Sequence, residues 1–178
     1  MENPNYSSLR VRISKILAMI IVMGVSGSGK TTIGQGLAKQ LHLPYYDADN
    51  FHPSSNIEKM KKGIPLNDDD RLPWLNMLAD QIQTWDLQGG AVLSCSALKE
   101  SYRKLLASKS KTIEWVYLKG TFELIQSRIE KREGHYMKSG LLQSQFETLE
   151  EPQYGIQVSI DSNQESIIST ILSKLQNK

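Results

Sequence analysis

Residues Gly24-Val25-Ser26-Gly27-Ser28-Gly29-Lys30-Thr31 spell G-x-x-x-x-G-K-[ST] directly behind an apolar run, Ile16–Met23. That order requires a buried strand, a tight loop and then a helix, because only such a unit points consecutive backbone N–H groups and a helix's positive end at one spot. The ligand this geometry serves is a polyphosphate. Gly27 and Gly29 permit backbone angles and a close approach that a side chain would block. The N–H groups of Gly24, Val25, Ser26, Gly27, Ser28, Gly29, Lys30, Thr31 and Thr32 are the expected cradle. Lys30 is expected to reach the β- and γ-phosphates, and the Thr31 hydroxyl to hold Mg²⁺. The bound species is therefore a nucleoside triphosphate, ATP or GTP, and the receiver of its phosphoryl group is the open question.

A chain of 178 residues suits one domain that buries about 70% of its unfolded surface. The formal net charge is +2 with both signs interspersed, so composition gives no basis for a nucleic-acid or membrane partner. The single cysteine, Cys95, can form no internal disulfide, which fits a cytoplasmic setting. Arg10, Arg12 and Lys15 before Ile16–Val22 imitate a secretory leader, but cleavage after Ser26-Gly27-Ser28 would destroy the phosphate loop. Residues 1–15 are expected to be a disordered extension and 16–178 a single domain with a mobile lid at about 128–140.

Strand and helix patterns alternate along the chain. Strands are expected at Ala18–Met23, Tyr45–Asp49, Ala91–Ser94, Ile113–Leu118 and Ile156–Ile160. Helices are expected at Thr31–Leu41, Ser54–Lys62 capped by Ser54 or Ser55, Leu72–Trp85 capped by Asp70, Leu98–Ala107, Thr121–Arg132, Leu141–Leu149 and Gln164–Leu175. Ala18–Met23 is apolar at every position, as a strand covered on both faces must be. The fold class is α/β: a parallel sheet of about five strands flanked by crossover helices.

The third strand ends in Ser94-Cys95-Ser96 where many phosphate-loop proteins carry an acidic Mg²⁺ partner, and no Asn-Lys-x-Asp segment is present. Both features argue against a GTPase and a mechanical ATPase. Carboxylates stand instead at Asp47 and Asp49, which in an extended strand share one face. One can order the magnesium hydration shell; the other can aim an attacking hydroxyl and take its proton. Asp49 is assigned the hydroxyl and Asp47 the metal, an assignment the sequence leaves reversible. Arg128 and Arg132 share one helical face and lead into Glu133-Gly134-His135-Tyr136, which suits a lid closing over phosphates. Trp74, Trp85 and Trp115 are expected in core or pocket wall.

Further motifs then fall in order: H-P-x-x-N-I-x-K-M at His52–Met60, P-L-N-D-D-D-R-x-P-W-L at Pro65–Leu75 and C-S-A-L-K-x-x-Y-R at Cys95–Arg103. After them come Y-L-K-G at Tyr117–Gly120, G-H-Y-x-K, and Q-F-x-T-L-E-E-P at Gln145–Pro152. With the phosphate loop, these resemble the bacterial-type gluconate kinases over about residues 18–152. The resemblance implies a nucleoside-monophosphate-kinase-like fold, ATP-dependent phosphorylation of D-gluconate at its 6-hydroxyl, and a homodimer. It makes Arg71 and Arg103 the candidates for holding the sugar acid, with His52, Asn56, Lys59 and His135 as further contacts beside Asp49. Two rival readings remain at this stage: another small-metabolite kinase such as a shikimate kinase, and a nucleotide-binding regulator without an acceptor.

Overall fold

The computed structural model describes residues 19–110, 112–131 and 139–177. The extension expected at 1–15, most of the lid, Arg132 and His135 lie outside the described residues. Five parallel strands form one sheet: β1 (Met19–Met23), β2 (Tyr45–Asp47), β3 (Ala91–Ser94), β4 (Ile113–Lys119) and β5 (Ile156–Ser159), in spatial order β2-β3-β1-β4-β5. The order reverses about β1, whose Val22 pairs with Ser94 on one side and with Val116 on the other. Ligands of open α/β sheets sit beyond the carboxyl ends of the strands at such a switch point.

Side-chain alternation along β1 divides the interior into two layers. Ile20 and Val22 face a core built with Ile33 and Leu37 of α1 (Lys30–Leu41), Ile125 of α5 (Phe122–Glu130), Leu142 of α6 (Ser139–Thr148), and Ile167 and Ile171 of α7 (Gln164–Gln176). Met19, Ile21 and Met23 face the other layer, with Trp74, Leu78 and Ile82 of α3 (Asp68–Leu87) and Leu106 of α4 (Glu100–Leu106). Both faces of the strand are thus covered, which accounts for its unbroken apolar sequence. Trp74, Trp85 and Trp115 are all buried in this second layer.

Three local expectations are corrected. The second strand stops at Asp47, and Ala48–Phe51 turns into a 3₁₀ helix because the Asp47 carboxylate accepts from the Asp49 N–H at 3.1 Å. The Trp74 indole then fastens that turn by donating to the Ala48 carbonyl at 2.9 Å. Helix α2 (Ser54–Lys61) has Pro53 as its N-cap, whose carbonyl accepts from Asn56 and Ile57; no serine hydroxyl caps it. Helix α3 starts at Asp68, four residues before the expected Leu72. Asn67 is the cap, in a reciprocal box: Asp70 N–H to Asn67 Oδ1 at 2.8 Å and Asn67 N–H to Asp70 Oδ2 at 3.1 Å. Asp68, Asp69 and Asp70 therefore occupy the first turn, where the helix dipole favours negative charge. Pro73 consequently sits one turn deeper than expected, inside the helix.

Candidate active site

The phosphate loop leaves β1 and enters α1 through Gly29, which is left-handed at φ 96. Gly27 is also left-handed at φ 81, and a Cβ there would stand 2.8 Å from Ile129 side-chain atoms and 3.0 Å from Ile125. Any larger residue would strain the loop and collide with α5. Lys30 spans the loop by donating to the Val25 carbonyl at 3.0 Å. Its ammonium is held below the usual lysine range by burial, opposed by the charges of Asp49 and Asp47. The Ser28 hydroxyl is buried with no hydrogen-bond partner among the described residues. An orphaned buried hydroxyl and a lysine resting on a carbonyl at the start of α1 fit a loop shaped for a polyphosphate.

Beside the loop, the Thr31 hydroxyl donates to Asp47 Oδ2 at 3.2 Å. Two oxygens suited to a hard cation are thereby brought together at the start of α1 and the end of β2. Asp47 is held in place by residues that the sequence reading did not single out. The Tyr45 hydroxyl lies 3.3 Å from Asp47 Oδ2 and 3.0 Å from Ser94 Oγ, and Ser94 in turn donates to the Lys30 carbonyl at 2.9 Å. Ser94 stands in register with Asp47 at the carboxyl end of β3. Its role at this strand end is to tie the first turn of α1 to the sheet. Cys95, the next residue, is a buried thiol pushed up to about 12 by burial, so it stays neutral. Among the described residues, no group of three or more His, Cys, Asp or Glu is arranged to hold a metal. A cation here would rest on Thr31, Asp47 and the phosphates of its nucleotide.

Asp49 lies one 3₁₀ step beyond Asp47. Its carboxyl is raised above the ordinary aspartate range, first by desolvation among the crevice walls and then by the Asp47 charge, with Lys30 pulling it back. The side chain remains 79% accessible, open to an incoming acceptor. His52 Nε2 stands 3.9 Å from Asp49 Oδ1, while the His52 side chain is only 4% accessible. The imidazole stacks on Trp74, with centroids 4.1 Å apart and planes at 15°. Burial, then the Arg71 charge, lowers its pKa to about 4, so it is neutral near pH 7. Asn56 Nδ2 lies 3.3 Å from His52 Nδ1 and also donates to the Asp70 carbonyl at 2.8 Å. With Nδ1 accepting from Asn56, the ring proton is on Nε2, facing the Asp49 side of the crevice.

The expected cations divide into two kinds. Lys59 pairs with Asp70 at 2.6 Å, a contact that joins α2 to α3. Arg71 donates to the Leu66 carbonyl and lies over the Tyr102 ring, 5.6 Å from its centroid, with its charge felt at His52. Asn56 and Lys59 thus meet at Asp70, the residue before Arg71, and with His52 these groups make one polar cluster next to Asp49. Arg103 does not join them. It is 2% accessible, and its guanidinium donates to the carbonyls of Ala97, Leu98 and Glu150 at 2.8, 3.1 and 2.8 Å, to Tyr154 at 3.0 Å and to Glu100 at 3.0 Å. With those donors engaged inside the protein, Arg103 ties α4 to the segment that follows α6. Arg128 donates to the Ile160 carbonyl just past β5, so the structure places it against that strand end.

Comparison with known proteins extends this picture. Residues 26–176 match the family model described as shikimate kinase. The chain is 42% identical over 161 residues to the thermoresistant gluconokinase of Escherichia coli K12, covering 88% of this chain and 92% of that protein. It is 39% identical over 175 residues to the gluconokinase of Arabidopsis thaliana, covering 89% and 93%. Among solved structures, a gluconokinase from Sinorhizobium meliloti 1021 superposes with a TM-score of 0.84 at 39% identity, covering 89% and 91% of the two chains.

Proposed function

Because the chain belongs to the gluconokinase family, we propose that it transfers the terminal phosphoryl group of ATP to the 6-hydroxyl of D-gluconate. One observation carries the reading: Lys30, the Thr31–Asp47 pair and Asp49 converge at the carboxyl ends of β1 and β2, with the wall of His52 and Arg71 beside Asp49. A donor phosphate seat and a polar acceptor seat thus meet at one carboxylate.

In the proposed reaction the 6-hydroxyl oxygen bonds to the γ-phosphorus as the bond from phosphorus to the β,γ-bridging oxygen breaks. ADP leaves with that electron pair. Asp49 accepts hydrogen-bond donation from the hydroxyl, aims its lone pair and takes its proton. Mg²⁺, when bound at Thr31 and Asp47, supplies neutralising charge to the β- and γ-oxygens. Lys30 moves from the Val25 carbonyl to the same oxygens. Arg71 serves the sugar-acid carboxylate, and neutral His52 donates from Nε2 to a hydroxyl, with Asn56 fixing its tautomer. Arg128 and Arg132, at the root of the lid, are assigned to charge on the transferring phosphoryl group, and His135 to the acceptor. Closure of the lid would exclude water as a competing acceptor.

Homodimerisation rests on the family resemblance. A cytoplasmic location is supported by Cys95 being a buried free thiol; among the described residues no helix is long and apolar enough to cross a membrane. The deciding assay is coupled ADP release from Mg²⁺-ATP with gluconate, other aldonic acids, shikimate and no acceptor. Selective stimulation by gluconate, with 6-phosphogluconate formed, is the expected result. Protein that binds ATP but responds to none of the acceptors would overturn the reading, and selective stimulation by shikimate would replace it with the shikimate kinase activity.

A further inference from the structure

The phosphate loop is held from outside by a residue with no role in the chemistry above. Gln145 of α6 makes a two-point clasp on Ser26: its Oε1 accepts from the Ser26 N–H at 2.7 Å, and its Nε2 donates to Ser26 Oγ at 3.0 Å. On the other side, the Gly27 backbone lies so close to Ile125 and Ile129 of α5 that a Cβ would collide with both. The loop's tip is therefore gripped between the two helices that flank the lid segment in sequence.

Helix α6 is itself fixed. Leu142 is buried in the core, and Phe146 meets Phe122 of α5 edge-on at 5.4 Å. Just past its end, the Glu150 N–H donates to the Leu98 carbonyl at 2.9 Å, and the Glu150 carbonyl accepts from Arg103 at 2.8 Å. The Glu150 carboxylate accepts from the Glu100 N–H at 2.6 Å, and the Glu151 carboxylate from Lys119 at 2.6 Å. A side chain on so anchored a helix acts as a strut.

From this geometry we infer that Gln145 is a positioning residue for ATP: it holds Ser26 so that the loop is preshaped for the polyphosphate. The amide is suited to the task. It offers one acceptor and one donor to a single residue, and it places no charge beside the phosphates. Ordering a loop before its ligand arrives lowers the entropic cost of binding, so the clasp should act on nucleotide affinity more than on the chemical step.

The inference rests on the proposed use of ATP at this loop, and its test is therefore a binding measurement alongside turnover. Calorimetric titration with Mg²⁺-ATP should give Gln145→Leu a Kd about tenfold weaker than wild type, the order expected when ordering of the loop is deferred to the binding step. Gluconate-dependent turnover at saturating ATP should stay within about threefold, because the groups facing the reacting atoms are untouched. Ser26→Ala, which removes only the hydroxyl bond, should weaken ATP by about two- to fivefold and add nothing further when combined with Gln145→Leu. That second variant keeps the test intact should Gln145→Leu fail to fold. An unchanged Kd in either variant, strictly additive losses, or a fall in kcat with Kd unaltered would overturn the inference. Wild-type protein that binds ATP without gluconate-dependent turnover would overturn the proposed function alone, since the comparison of Kd values would still stand.

Discussion

Replacing Arg103 by Met tests the sharpest difference between the sequence reading and the fold. Methionine keeps much of the side chain's length and apolar stem while deleting every donor. The carbonyls of Ala97, Leu98 and Glu150 would each lose a guanidinium hydrogen bond, and the Glu100 carboxylate would lose its ion-pair partner. Three carbonyls left short of a donor at about 1 kcal/mol each, or more where no water can enter, place the loss at about 3–5 kcal/mol. That is a large share of the roughly 5–15 kcal/mol by which a domain of this kind is stable. With a urea m-value of about 2 kcal/mol/M, the unfolding midpoint should fall by about 1.5–2.5 M. Fluorescence of the buried Trp74, Trp85 and Trp115 follows the transition. Protein that remains folded in dilute buffer should bind gluconate with an unchanged KM. A midpoint within about 0.3 M of wild type, together with a KM for gluconate raised tenfold or more, would refute the structural assignment and return Arg103 to the substrate.

Asp49→Asn should lower turnover by about 10²-fold or more with ATP affinity intact, and near-normal turnover would refute its role as base. In the wild-type enzyme Asp49 must be ionised to act. Because its pKa is raised in the free protein, the acidic limb of the kcat/KM profile should lie above the ordinary aspartate value, with activity lost as pH falls through it. His52 contributes to stability with the opposite kind of shift. Its pKa drops from 6.5 unfolded to about 4 folded, so the unfolded chain binds the proton first. Stability should be full above pH 6.5 and fall as the pH drops from there toward about 4; His52→Asn should flatten that dependence of Tm, and an unchanged slope would refute the assignment. Gly34→Ala would place a Cβ 2.8 Å from both Ser94 Oγ and Tyr45 Cε2, wedging α1 off the sheet. Overpacking of this kind costs about 1–3 kcal/mol, or several degrees in Tm at about 2–4 °C per kcal/mol, and an unchanged melting curve would contradict it.

The elements whose cause is local were legible in the sequence. The loop Gly24–Thr31 announces itself because each residue type answers a backbone or phosphate requirement within eight positions. Strands β1, β3 and β4 follow from apolar runs and β5 from alternation, and the Thr121 cap from its own side chain, which accepts from the Leu124 N–H at 3.3 Å. Where two local rules competed, the sequence reading went astray. Asp70 has the chemistry of an N-cap, but so does Asn67, and the reciprocal box favours the earlier start. Asp49 follows a strand in sequence, yet the Asp47 carboxylate captures its N–H and ends the extended backbone.

The phosphate seat, the parallel sheet that carries it, and the residue types a sugar-acid kinase needs are all legible in the chain alone. Those rest on periodicity and on contacts a few residues apart. Which side chains face which partner depends on the assembled fold. Arg71 and Arg103 stand in equally suggestive motifs. The contacts that send one to the crevice wall and the other into a buried network of carbonyls come partly from Glu150 and Tyr154, about fifty residues away from Arg103 in the chain. The same holds for Gln145 on Ser26, 119 residues apart, and for Ser94 on Lys30, 64 apart. A hydrogen bond is directional and effective only within about 3 Å, so no residue type carries its partner's identity. The partners are chosen when packing of the sheet and its two helical layers brings those segments together.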